Sequence, residues 1–117
     1  MKTLACCLMA ALFALSLAAL GTETPAGDAA NGKRLFMTYG CYECHGTTGA
    51  GGGFAGPRIA PDPPPYLGVK SKLRTASGRM PVFSEVVLKD AQIADIYAYL
   101  QSIPTGRSAR EIDLLNR

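Results

Sequence analysis

The segment Cys41-Tyr42-Glu43-Cys44-His45 constrains this chain more than any other. Two cysteines two residues apart, with a histidine directly after the second, have the spacing at which thiols add across the two vinyl groups of a haem. The adjacent imidazole is then held beneath the iron as an axial ligand. Three other uses of the pair compete. A structural zinc site takes about four ligands, and neighbouring Cys44 and His45 are poorly placed to share one tetrahedral ion. A thioredoxin-like pair has the same cysteine spacing but belongs beside a βαβ pattern, which is not visible here. A plain disulfide stays open. The haem reading is favoured because the leader, the histidine and the helical pattern all agree with it.

The leader is the stretch before Gly21. Lys2 gives it a positive start, and Leu4 to Leu20 is almost wholly apolar, with Ser16 the one clearly polar residue. That is the layout of a secretory signal peptide. The run is short for a membrane span, which takes roughly 20 apolar residues. Cys6 and Cys7 lie near its start, whereas a lipidated cysteine follows the apolar run. We therefore expect a signal peptide over 1–21, a linker over 22–27, a domain over 28–104 and a tail over 105–117. Export predicts a periplasmic, oxidising compartment in which only Cys41 and Cys44 remain, and no membrane association once the leader is cut.

Cleavage leaves roughly 95 residues, enough for one small domain with limited apolar surface to bury. The chain has no Trp and carries 13 Gly and 8 Pro. Domains of this kind are held by disulfides, metals or a cofactor, and a haem supplies the missing core. Charge says little. Twelve Lys and Arg against nine Asp and Glu give +3; without Lys2, eleven against nine leave +2. That excludes a strongly basic nucleic-acid binder.

Asp28 reads as an N-cap and Ala29 to Tyr39 as a helix ended by Gly40. Gly32, Leu35 and Phe36 share one face of it. Gly32 costs about 1 kcal/mol against Ala in a helix, which a close helix crossing would justify; a tolerated weak spot is the plainer account. Gly46 to Pro65 reads as irregular. Tyr66 to Leu73 predicts a short helix, Thr75 to Pro81 a loop, and Phe83 to Leu88 one turn. Asp90 reads as a second N-cap. After it, Ile93, Ile96, Tyr97 and Leu100 recur at i, i+3, i+4 and i+7, one buried helical face. Ile112, Leu114 and Leu115 are candidate anchors by which the tail packs back. No alternating strand pattern is visible, so the fold class is mainly α, with long irregular loops.

His45 is the only histidine among the 117 residues, so a second axial ligand is not His. Electron-transfer cytochromes use His/Met pairs, which raise the reduction potential. Met1 and Met9 fall in the leader and Met37 lies on the first helix near His45. Met80, in the loop Arg79-Met80-Pro81, is the candidate. A methionine there that merely fills a gap is the bland alternative.

These features together resemble the class I c-type cytochromes, over about Asp28 to Pro104. Cys41-x-x-Cys44-His45 matches that family's haem site, and Met80-Pro81 resembles its distal ligand segment. Gly32 and Phe36 resemble its first-helix Gly/aromatic pair, which meets an aromatic on the last helix; Tyr97 fits that partner. Gly56-Pro57-Arg58-Ile59 resembles its Gly-Pro-x-Leu stretch, implying that the Pro57 carbonyl accepts from His45 Nδ1. The resemblance implies a cytochrome c-like fold, with terminal helices crossing and loops wrapped around one covalent haem c. The short, Gly/Pro-rich stretch from His45 to Met80 fits compact bacterial members and leaves the propionate contacts unassigned.

The implied function is periplasmic electron transfer by a non-enzymatic carrier, with cofactor-binding residues Cys41, Cys44, His45 and Met80 and iron ligands His45 and Met80. The redox partner is a protein. The carrier is either a free shuttle or the cytochrome of a periplasmic dehydrogenase; the compact form and the ending Ala98-Tyr99-Leu100-Gln101-Ser102-Ile103-Pro104 resemble cytochromes that accompany such enzymes and favour the second. Lys70, Lys72, Arg74 and Arg79, with no acidic residue among them, either rim the haem edge and steer an acidic partner patch or form a merely solvated loop; both readings stay open. A haem enzyme or gas sensor with an open sixth position is the alternative, and requires that Met80 not bind.

Overall fold

The computed structural model describes residues 24–51 and 56–115. The expected signal peptide lies outside them. Four α-helices are present among the described residues: α1 (Ala29–Thr38), α2 (Cys41–His45), α3 (Tyr66–Thr75) and α4 (Asp90–Ser102). Among the described residues there is no strand, as the missing alternation predicts. No helix among them is long and apolar enough to cross a membrane.

Asp28 starts α1 as expected, its carboxylate accepting from Ala30 N at 2.8 Å and Asn31 N at 3.2 Å, which satisfies two orphan donors of the first turn. The helix buries Gly32, Leu35 and Phe36. It crosses α4, and the two helices form the main packing interface of the fold. Gly32 is there for closeness. A β-carbon on it would stand 1.9 Å from the carbonyl oxygen of Asp95, so the crossing account of this glycine holds. The Asp95 carboxylate then grips the start of α1, accepting from Asp28 N at 2.8 Å and Asn31 Nδ2 at 2.7 Å.

The α4 periodicity is borne out, with Ile93, Ile96, Tyr97 and Leu100 each at most 5% exposed. The expected aromatic partner needs correction. Phe36 meets Tyr99, ring centroids 5.6 Å apart. Tyr97 instead meets Tyr66 of α3 edge-on at 5.5 Å. Because α4 packs against both α1 and α3, it has two buried sides, and Tyr97 belongs to the α3 side.

Asp90 is also corrected. It is the first residue of α4, and Lys89 is the N-cap. The Lys89 amide donates to Gln92 Oε1 at 2.9 Å. The Asp90 carboxylate turns to α3 instead, where Lys70 Nζ reaches it at 2.5 Å and Arg74 Nη2 at 2.7 Å. Helix α3 runs two residues past its expected end, to Thr75. The expected turn before α4 is present, with Leu88 N donating to Ser84 O at 2.9 Å, and Leu88 is fully buried. In the tail, short 3-10 turns cover Ala109–Glu111 and Asp113–Leu115. They touch each other and none of the four helices. Leu114 and Leu115 are 74% and 63% exposed, so they do not anchor the tail to the domain.

Candidate functional site

Helix α1 ends at Tyr39, whose amide returns to Leu35 O at 2.9 Å. Gly40 then adopts φ 73°, a left-handed conformation open to glycine at no steric cost. This reversal launches α2 at once, so Cys41 is its first residue. On a helix, Cys41, Cys44 and His45 stand at i, i+3 and i+4 and share one side. All three line one cavity of about 640 Å³, within the range of cofactor pockets. Both thiols are free. Burial pushes the Cys41 thiol up to about 11, with a hydrogen bond to its own backbone opposing, so it stands as a neutral thiol against the apolar wall.

The end of α2 is met by the segment starting at Gly56. A β-carbon on Gly56 would stand 2.7 Å from Cys44 O, so only glycine lets this segment press onto the helix. The next carbonyl, that of Pro57, lies 2.8 Å from His45 Nδ1. A carbonyl oxygen only accepts, so Nδ1 carries the proton and Nε2 keeps its lone pair for a metal. Gly51 N donates to His45 O at 2.8 Å and Ile59 N to Gly49 O at 2.8 Å.

Met80 is half-buried and lines the same cavity. Met37 does not line it and is 37% exposed on α1. The walls are chiefly apolar: Phe36 from α1, Val69 and Leu73 from α3, Ile96 and Leu100 from α4, and Phe83 from the loop beyond Met80. The polar lining is Arg58, Lys72, Ser77 and Arg79. Among the described residues, no three His, Cys, Asp or Glu side chains converge as a metal-binding cluster. A single nitrogen and a thioether in an apolar slot suit a metal that brings its own equatorial ligands.

A family model described as cytochrome c oxidase, cbb3-type, subunit III matches residues 27–100. The chain belongs to that family. It is therefore a monohaem c-type cytochrome whose Cys41/Cys44 pair implies covalent haem c, and its work is electron transfer through that haem. The curated proteins and the solved structures give no match. The donor set fits the group: two thiols at attachment spacing, an oriented imidazole and an apolar slot.

The expected basic rim is corrected in this cytochrome. Lys70 and Arg74 lie at i and i+4, on one side of α3, and both are bound to Asp90. Lys72, between them, faces the other way; it lines the cavity and reaches Ser77 Oγ at 3.1 Å. Arg79 also lines the cavity. Sequence reasoning missed the Asp90 cluster because it treated Asp90 as a cap. The i, i+4 spacing of Lys70 and Arg74 was the available signal.

Proposed function

We propose that this cytochrome is an exported electron carrier, with haem c fastened by thioethers at Cys41 and Cys44 and its iron bound axially by His45 and Met80. Each thioether forms when a thiol adds across a vinyl group, sulfur to one carbon and the proton to the other. When bound, the group supplies an iron that exchanges one electron with little movement. His45 is oriented by Pro57 to present Nε2. Met80 contributes a soft sulfur that favours the ferrous state and keeps oxygen and peroxide from the metal. The apolar walls exclude water. A non-catalytic role follows from a sixth position closed in this way.

The observation that carries the reading is the shared cavity of His45, with Nδ1 committed to Pro57 O, and Met80. The test is the spectrum of protein made with a c-type maturation system. Thioether attachment gives a c-type pyridine haemochrome that Cys41→Ala alters. Met80 ligation gives a weak far-red sulfur-to-iron band in the ferric protein. Met80→Ala removes that band and admits carbon monoxide. Unchanged spectra would overturn Met80 as ligand and leave the open-site enzyme or sensor reading.

For the chain's organisation we propose a signal peptide over 1–21, a linker over 22–27, the cytochrome domain over 28–104 and a tail over 105–117, placing the mature protein in the periplasm. Its partner is a redox protein. The compact form favours a periplasmic dehydrogenase for which it is acceptor or cytochrome subunit, and the family's own description brings in a terminal oxidase as the second reading. Co-purification with one or the other decides.

A further inference from the structure

Arg74 joins three parts of the chain at one guanidinium. It stands in the last turn of α3, donates through Nη1 to Phe83 O at 2.7 Å, and donates through Nη2 to Asp90 Oδ1 at 2.7 Å. The segment between α3 and α4 is the loop that carries Met80. Phe83, three residues beyond Met80, is thus held at both backbone polar groups by the end of α3. Its N–H donates to Leu73 O at 2.9 Å, and its carbonyl accepts from Arg74. Its ring stands edge-on to Tyr39 at 6.1 Å and lines the cavity. The Arg74 side chain is 19% exposed and that of Asp90 39%, so these charge-assisted bonds are partly sheltered from competing water. The fork matters: a guanidinium binds two acceptors at fixed angles, which an ammonium does not.

We propose that Arg74, seated by Asp90, is a positioning residue that clamps the Met80 loop shut over the cofactor cavity and so holds the Met80 sulfur on the iron. The clamp rests on the reading of Met80 as axial ligand. Lys70 supplies an internal contrast. It binds the same carboxylate from the same side of α3 but is bonded to no loop atom among the described residues. Loss of Lys70 removes a charge from the cluster, whereas loss of Arg74 also releases the loop.

The experiment is competition for the iron in the ferric holoprotein. Exogenous imidazole binds only when the loop opens, so its apparent affinity scales with the open fraction. Arg74→Gln tightens imidazole binding tenfold or more. Asp90→Asn, which leaves both cations in place but unseats the guanidinium, tightens it several-fold and serves alone if Arg74→Gln does not accumulate folded. Lys70→Gln stays within twofold of the parent. Amide exchange at Phe83, which does not depend on ligation, speeds up at least tenfold in Arg74→Gln. Equal imidazole affinities for the Arg74 and Lys70 variants, where Met80→Ala itself binds imidazole more tightly than the parent, would overturn the clamp, as would an unchanged Phe83 amide. If instead Phe83 exchange responds while Met80→Ala matches the parent in far-red spectrum and imidazole affinity, the clamp on the loop stands and the ligand reading falls.

Discussion

The α-carbon of Gly32 rests against the main chain of Asp95, leaving no room for a methyl group between α1 and α4. The opposing atoms are a carbonyl group and the Tyr99 β-carbon at 2.9 Å, and neither is a flexible tip that swings aside. Gly32→Ala gains about 1 kcal/mol in helix propensity but forces the helices apart at their tightest point, where overpacking costs typically 1–3 kcal/mol. Because the clash is with backbone, the net loss is expected at about 2 kcal/mol. Chemical denaturation of the holoprotein measures it, and an unchanged midpoint would refute it.

Tyr99 ties the same interface to the loop after the attachment site, its hydroxyl donating to Thr47 O at 2.8 Å. Tyr99→Phe keeps the ring against Phe36 and deletes this bond, a loss of about 1 kcal/mol. Its visible spectrum should match the parent's, because the deleted bond does not reach the cavity walls.

The Asp90 cluster predicts an acid-sensitive part of stability. Hydrogen bonds from Lys70 and then Arg74 hold the Asp90 carboxyl below the ordinary aspartate range. A depressed folded value stabilises the fold above the ordinary value, about 4, and that contribution is lost as pH falls through the folded value. The same hydrogen bond holds Lys70 above its ordinary value, so its share is present below the lysine range and fades as pH rises through the raised value. Asp90→Asn should therefore be less stable than the parent near neutral pH, with the gap closing as pH falls below the ordinary aspartate range. A gap independent of pH would show the pairing to be energetically silent.

Withholding the cofactor should cost the fold. Without it, the apolar walls formed by Phe36, Val69, Leu73, Phe83, Ile96 and Leu100 face a cavity of about 640 Å³ with nothing to pack against, and a domain this small has little other core to offset that loss. A Cys41→Ala, Cys44→Ala variant lacking haem should show no cooperative thermal transition and rapid proteolysis.

With Lys70 and Arg74 bound to Asp90, electrostatic steering falls to the cations on the cavity rim. Lys72→Glu should slow reaction with an acidic redox partner several-fold at low ionic strength, and the difference should vanish near 1 M salt, where the screening length is about 3 Å. A rate that ignores this reversal would remove Lys72 from the docking face.

Much of this was legible in the chain because it rests on local rules. The Ile93, Ile96, Tyr97 and Leu100 spacing made α4 plain, and Asp28 and Gly40 marked both ends of α1. The contact between His45 and Pro57 came from the resemblance to c-type cytochromes, since no local rule joins residues twelve apart through an irregular loop. What escaped were choices between equally regular alternatives. Tyr97 and Tyr99 are both buried, and periodicity cannot say which side of a doubly covered helix meets α1. Asp90 satisfies the pattern of an N-cap, yet two cations on α3 outbid the backbone for its carboxylate. The apolar tail residues Leu114 and Leu115 suggested packing, but the turns carrying them meet no helix.

The acceptor beneath His45 belongs to the main chain. No exchange of side chain at position 57 deletes it, and its strength stays nearly constant whatever residue stands there. In the proposed haem site the imidazole would thus offer a fixed donor strength, and adjustment of electron affinity would fall to the opposite ligand and to how dry the slot is kept.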